Sequence, residues 1–292
     1  MPPPSTSLRA SLTGKRILIT RPRAQAAALC DKLAALGAEP IPFPTIEIAP
    51  LEDYAALDNA IGLLSQYHWI IFTSVNGVVA FWNRLDLAGH NDLSDLRVAA
   101  IGPVTAQALA KHGVQAHFIP EEYVAEAIVE GIGDVNGQWI LLPRADIARE
   151  VLAVELGRRG AMVHEIAAYR TLPAAPDPHG LTELRRGVDA ITFTSSSTVR
   201  NFVMLISGGQ KYIDAANIRR MGRDGVPMPS LGRAAIACIG PITAQTAREV
   251  GLPVDGVAKE YTMEGLVAAL AEYFSHPELQ LKENRWIPAR SL

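Results

Sequence analysis

Four short turns rich in small hydroxyl side chains recur along the chain, each where an apolar run gives way to a helix-like pattern. They are Thr73-Ser-Val-Asn-Gly77, Gly102-Pro-Val-Thr105, Thr194-Ser-Ser-Ser-Thr198 and Gly240-Pro-Ile-Thr243. A Ser, Thr or Asn so placed caps a helix, and the free backbone N–H groups with the helix dipole favour an anion by ~0.3–1 kcal/mol each. Any one of these turns taken singly is as well an ordinary N-cap. Four in matched pairs point to a site that holds several carboxylates or phosphates. Arg21 and Arg144 stand directly after apolar runs of similar make-up, with Arg23 and Arg149 close behind on the expected helices, and guanidinium forks suit two-pronged carboxylate contacts. Each arginine by itself is as well a solvated surface group. Tyr169 lies between small alanines and Arg170; a phenol with the ordinary pKa of about 10 is neutral near pH 7 and can donate a proton to a leaving oxygen. A tyrosine in a connector more often packs than catalyses. Tyr123 and Tyr261 close a rim over a ligand or pack there.

Several chemistries are missing from the pattern. No G-x-G-x-x-G follows a strand, and neither a G-x-x-x-x-G-K-[ST] loop nor a G-x-S-x-G elbow occurs, which argues against dinucleotide, nucleoside-triphosphate and nucleophile-elbow chemistry. The seven histidines fall without ligand spacing, so no metal is expected. With 27 Lys and Arg against 30 Asp and Glu, the net charge of −3 offers no global field for nucleic acid or an anionic membrane. The two cysteines, Cys30 and Cys238, sit in separate apolar segments, as buried thiols do in a reducing compartment. Met1–Ala10 carries no apolar stretch of a secretory signal and no run approaches the ~18 residues of a membrane span. A cytoplasmic protein is expected.

These residues must be positioned by a frame, and the chain states it twice. Ile101-Gly-Pro-Val-Thr-Ala-Gln107 returns as Ile239-Gly-Pro-Ile-Thr-Ala-Gln245, Gly14–Arg21 answers Gly137–Arg144, and Ile70–Ser74 answers Ile191–Ser195. Glu122-Tyr-Val-Ala-Glu126 likewise answers Glu260-Tyr-Thr-Met-Glu264. Within each copy, short β-branched runs (Arg16–Thr20, Trp69–Thr73, Val98–Ile101, Ala190–Thr194, Ala235–Ile239) alternate with helical periodicity at 25–36, 53–65, 75–85, 103–112, 146–159, 197–206, 241–250 and 263–274. With 49% hydrophobic residues, this predicts α/β architecture with parallel sheets covered on both faces. Pro40–Pro50 and Met162–Pro173 break the alternation at equivalent places. Prolines 40, 42, 44 and 50 exclude the first from the middle of a sheet and make it an edge strand or connector.

Ile-Thr-Arg-Pro near the start, Phe-Thr-Ser before a helix, Ile-Gly-Pro-x-Thr-Ala twice (after Ala100 and after Cys238), Ala-Tyr-Arg-Thr in the middle and Thr-Met-Glu-Gly-Leu near the end are weak one by one. In this order and spacing, from about Lys15 to Leu270, the chain resembles the uroporphyrinogen-III synthase family. The resemblance implies two similar doubly wound parallel-sheet domains joined by a two-stranded β connector, one discontinuous (1–41 with 173–292) and one continuous (42–172). It implies a cofactor-free lyase of tetrapyrrole biosynthesis that closes hydroxymethylbilane to uroporphyrinogen III, losing water and inverting the last ring. By similarity Ser74, Asn76, Thr105, Arg149, Ser195, Ser196, Ser197, Thr243 and Tyr261 would line the cleft, beside Arg21, Arg23 and Arg144, and Tyr169 would assist hydroxyl loss. The family often has proline after the first Phe-Thr-Ser, where Val75 stands here. A monomer is expected, with substrate handed over by the preceding deaminase and no nucleic-acid or membrane partner. The rival reading is a non-catalytic bilobal module that senses an anionic metabolite.

Overall fold

The computed structural model describes residues 11–89, 93, 95–207 and 234–276; the N-terminal ten residues and the tail beyond His276 lie outside them. The chain forms two compact units, the first taking in the chain up to Glu47 and again from Pro173, the second Ile48–Leu172.

The sheet of the first unit contains β1 (Arg16–Ile19), β2 (Glu39–Pro42), β8 (Ala190–Phe193), β9 (Ala235–Cys238) and β10 (Gly256–Val257), in the order β10-β9-β8-β1-β2. Its neighbouring strands are parallel throughout. Strand alternation sends Ile17, Ile19, Ala235 and Ala237 to one face, where they pack on α1 (Arg23–Ala35) and α10 (Met263–Ser275). Leu18, Ile191, Phe193, Ile236 and Cys238 go to the other face, against α7 (Pro178–Arg186), α8 (Ser196–Ile206) and α9 (Pro241–Glu249). A strand buried on both faces is apolar at nearly every position, which is why these runs read as almost continuous rather than alternating; Thr192 on β8 is an exception, its hydroxyl donating to the Leu18 carbonyl.

The second sheet contains β3 (Ile46–Ala49), β4 (Trp69–Phe72), β5 (Arg97–Ala100), β6 (Trp139–Ala145) and β7 (Met162–Pro173), in the order β3-β7-β6-β4-β5. Ile70, Phe72, Val98 and Leu141 pack with α2 (Ala55–Gly62), α3 (Val75–Leu87) and α4 (Pro103–Ala110). Ile71, Ala99, Ile140 and Leu142 pack with α5 (Ala125–Gly131) and α6 (Val151–Arg158). The doubly wound α/β architecture is therefore as expected. The proline-rich stretch supplies two edge strands, β2 to the first sheet and β3 to the second, where β3 neighbours β7. Prolines 40 and 42 fall on β2, at an edge where a missing N–H is tolerated.

Among the described residues, helices α5 and α7 go beyond the periodicity, and α6 begins later than expected. The pattern predicts a helix from 146, whereas α6 starts at Val151. Asp146 is held to β7 instead, its N–H donating to the Tyr169 carbonyl and its carboxylate accepting from the Thr171 N–H, each at 3.0 Å.

Candidate functional site

In a parallel sheet the strand-to-helix turns gather at the carboxyl edge, where ligands bind. Both sheets follow this plan. In the second, β4 leads through Ser74 into α3, and β5 through Gly102 into α4. In the first, β8 leads through Ser195 into α8, β9 through Gly240 into α9, and Thr262 caps α10. Ser74 is the N-cap of α3, its Oγ accepting from Gly77 N–H at 3.0 Å. Val75, the departure from the family's usual proline, simply occupies the first helical position. Gly77 has to be glycine: a Cβ there would lie 2.9 Å from the Pro143 carbonyl oxygen.

The Gly-Pro-x-Thr turns explain themselves in the same way. Gly102 and Gly240 are N-caps in extended backbone and the following proline takes the first helical position, where a missing N–H costs nothing. A Cβ on Gly102 would lie 3.0 Å from Cγ of Tyr123, and one on Gly240 3.3 Å from Cγ of Tyr261. Each tyrosine ring thus lies against a bare helix N-terminus. Thr105 and Thr243, on the first turns of α4 and α9, are both buried.

Tyr169 is brought to this edge by an irregularity in β7. Arg144 pairs with Ala167 but Ala145 pairs with Tyr169, so Ala168 is an extra, unpaired residue. Ile166, Ala168 and Tyr169 consequently all pack into the same face of the second sheet, whereas strict alternation from Ile166 would have turned Tyr169 away. Such bulges re-aim side chains. The phenol, on a side chain only 8% exposed, meets Ser74 Oγ at 3.1 Å. Burial pushes its pKa above the ordinary tyrosine value, against the pull of hydrogen bonds from Ser74 and Asn76 and of the Arg144 charge, with the Asp146 charge adding to the rise. The group is a protonated donor at neutral pH. Ser74, Asn76, Arg144 and Tyr169 therefore form one cluster.

The two matched arginines differ. Arg144, 7% exposed, is committed internally, Nη1 to Glu165 Oε2 at 2.7 Å and Nη2 to the Arg149 carbonyl at 2.5 Å. Arg21 donates to Met263 Sδ at 2.7 Å and to Gln25 Oε1 at 3.1 Å, and among the described residues it faces no carboxylate. Its Nε, like that of Arg144, is buried without a partner, and burial pulls its pKa down. A half-desolvated cation without a counter-charge is a ready seat for an anion.

The remaining residues divide by how much of their polarity is already used. Ser195 and Thr198 cap each other in a reciprocal box, and Ser196 Oγ meets Thr246 Oγ1 at 2.7 Å across α8 and α9. Ser197 follows on the first turn of α8, its carbonyl accepting from Asn201. Arg149 stands in the turn before α6 rather than on the helix, exposed, 3.8 Å from Glu126. Arg23, with a 74% exposed side chain, lies 3.8 Å from Asp177. Glu165 and Asp146 are the site residues that sequence patterns did not mark; an acidic residue two positions beyond Arg144 and another on the partner strand were the available signal. Among the described residues no group of three or more His, Cys, Asp or Glu could hold a metal ion, and no helix is long and apolar enough to cross a membrane.

The family model described as uroporphyrinogen-III synthase HemD matches residues 27–268, well over half of the chain. The chain is 37% identical over 268 residues to the uroporphyrinogen-III synthase of Synechococcus elongatus, covering 90% of this chain and 96% of that protein. It is 29% identical over 266 residues to that of Chlorobaculum parvum, covering 88% and 98%. Among solved structures, a mutant uroporphyrinogen III synthase from Thermus thermophilus superposes with a TM-score of 0.61 over 89% of this chain and 98% of that one, at 22% identity. That likeness speaks to the fold.

Proposed function

The chain belongs to the uroporphyrinogen-III synthase family, and from that premise we propose that it cyclises hydroxymethylbilane to uroporphyrinogen III, with loss of water and inversion of the terminal pyrrole ring. The observation that carries the reading is the Tyr169 phenol, buried, protonated and hydrogen-bonded to Ser74 at the N-terminus of α3. A pyrrole nitrogen can itself expel a neighbouring hydroxyl, so the protein needs neither a strong base nor a metal. What it must supply is a proton for the departing oxygen and a hold on a flexible chain of carboxylates, and orientation of that kind is worth ~7–11 kcal/mol. In this reading Tyr169 lends its proton to the hydroxyl, which leaves as water, and regains one as the macrocycle closes.

The carboxylates are held at the helix N-termini of each unit. In the second unit Ser74, Asn76, Thr105 and Arg149 take part; in the first, Arg21, Ser195, Ser196, Ser197, Thr243 and Tyr261. Arg21 is the strongest of these anchors because it meets no counter-charge among the described residues. Arg23 contributes long-range attraction at most, and Arg144 acts on Tyr169 through its charge rather than on a carboxylate. The folding domains are read as 1–41 with 173–292, and 42–172, a division supported by the pairing of β1 with β8. A monomer that works in the cytosol with both thiols free and receives its substrate from the preceding deaminase completes the proposal.

An assay that generates hydroxymethylbilane in place, followed by separation of the I and III isomers, tests the reading. Isomer III above the spontaneous isomer I is the expected result. Isomer I alone at high protein concentration refutes it.

A further inference from the structure

The geometry points to Asp146 as a positioning residue that holds the bulge of β7 and so aims the Tyr169 hydroxyl. In a regular parallel ladder, a residue that gives its N–H to one carbonyl of the neighbouring strand accepts with its own carbonyl from the N–H two residues on. Asp146 follows the first half of that rule and breaks the second. Its N–H donates to the Tyr169 carbonyl, but the Thr171 N–H is taken by the side-chain carboxylate.

The substitution has two consequences. It frees the Asp146 carbonyl from the ladder, so the chain can leave β6 and turn towards α6. It also pins β7 on both sides of residue 170, directly after the unpaired Ala168. A bulge in a strand is a local slack: without a clamp the extra residue can move along the strand, and a one-residue move would turn Tyr169 to the opposite face. With the clamp, the phenol stays against Ser74. Asp146 is itself exposed, so its side chain is not needed for the apolar core, and its carboxylate is ill suited to bind a carboxylate substrate. Its role is therefore exerted through Tyr169.

This inference rests on the reading of Tyr169 as the proton donor, and its test is arranged to fail separately. Asp146→Ala, Asp146→Asn and each of these combined with Tyr169→Phe are compared by steady-state kinetics with isomer analysis. A displacement on the order of 1 Å at a reacting group can cost up to about a hundredfold. Asp146→Ala is expected to lower kcat roughly tenfold or more with little change in KM. Asp146→Asn, which keeps an acceptor oxygen for the Thr171 N–H, should restore most of that loss. In the Tyr169→Phe background Asp146→Ala should cost no more than about twofold, because the group it positions is gone. In protein labelled with fluorotyrosine, the Tyr169 resonance, assigned by its loss in Tyr169→Phe, should move in Asp146→Ala and return in Asp146→Asn. Equal losses with and without the Tyr169 hydroxyl, failure of Asp146→Asn to restore activity, or an unmoved resonance would each overturn the inference. If Tyr169→Phe turns over at the parent rate, the donor reading falls while the resonance still reports whether Asp146 places the ring. Should Asp146→Ala lose its near-ultraviolet circular dichroism, Asp146→Ser runs the same comparison.

Discussion

The two units lay out their strands in the same order, β10-β9-β8-β1-β2 in one and β5-β4-β6-β7 in the other, with the Ala99–Phe118 bridge standing where β10 does. Arg21 of the first corresponds to Arg144 of the second, Ser195 to Ser74, and Gly240 under Tyr261 to Gly102 under Tyr123. Yet the second unit neutralises its arginine with Glu165 and sets a phenol against its capping serine. The first leaves its arginine without a carboxylate among the described residues and has Thr45 and Ile46 near the corresponding place, with the Thr45 hydroxyl spent on the Thr20 and Thr198 carbonyls. A common frame fixes where strands end and helices begin, and it leaves the residues at those ends free to differ. One unit carries a buried phenol at this edge, and the other an arginine that meets no carboxylate among the described residues.

The largest effect should come from deleting that difference on the second unit. Tyr169→Phe is expected to lower kcat by roughly 10–10⁴-fold while product affinity changes little, since the donated proton matters mainly in the transition state. Steady-state kinetics with isomer separation reads both quantities. Parent turnover would make Tyr169 a packing residue, and a shift towards isomer I would make it an orienting one.

Next come the arginines, which should respond oppositely. Arg144→Met strips a buried ion pair of one partner and is expected to cost about 2–3 kcal/mol of stability, below the range for fully buried pairs because Glu165 is partly solvated. Arg21→Met removes a desolvated cation that meets no carboxylate among the described residues, so the unfolding midpoint should hold or rise, while affinity for product falls on the order of tenfold, as for a lost charged hydrogen bond. Thermal unfolding and product titration decide. Equal losses of stability would erase the distinction drawn between the two units.

A smaller contrast is built into the glycines. The Tyr123 ring lies 3.0 Å from where a Cβ on Gly102 would sit, against 3.3 Å for Tyr261 and Gly240. Overpacking of this kind costs about 1–3 kcal/mol. Gly102→Ala should fall near the middle of that range, at about 2 kcal/mol, and Gly240→Ala at about half as much. Urea unfolding of the two variants checks the order, and a reversed order would show that the first unit is the tighter one.

Much of this frame is legible in the sequence because doubly buried parallel strands are nearly continuous apolar runs. Arg16–Ile19 and Trp69–Phe72 announce themselves, and the repeated Gly-Pro-x-Thr marks two helix starts. The capping serines are legible for the same local reason. Helix α7 is not, since Pro-His-Gly-Leu-Thr-Glu-Leu-Arg-Arg offers few apolar positions to set a period. Nor is α5, seven residues long. The site's decisive features are relations between strands. That Glu165 neutralises Arg144 depends on the β6–β7 register, and that Ala168 is skipped depends on Asp146 reaching Thr171. Neither leaves a mark within either strand alone. The difference between Arg21 and Arg144, which share one sequence context, is likewise visible only once their neighbours are known.

The smallest effect concerns a thiol in the first unit where the second has a methyl group. Cys238 ends β9 at the place Ala100 ends β5, and it is fully buried. Burial pushes its pKa up from 9.0 to about 12. Below about pH 8 the thiol is protonated in folded and unfolded chains alike and contributes no pH dependence. As pH rises from there towards about 12, the unfolded chain releases a proton that the folded protein retains, so unfolding becomes progressively easier. At about pH 9.5 the loss should be about 0.8 kcal/mol. Cys238→Ala carries a constant packing cost but lacks this term, so urea unfolding followed by far-ultraviolet circular dichroism should show the parent losing about that much more than the variant between neutral pH and 9.5. Cys30, whose pKa burial also raises, is present in both proteins and cancels. Equal alkaline losses would mean that the Cys238 thiol ionises in the folded protein, and that the β9 face of the first unit is wetter than the corresponding face of the second.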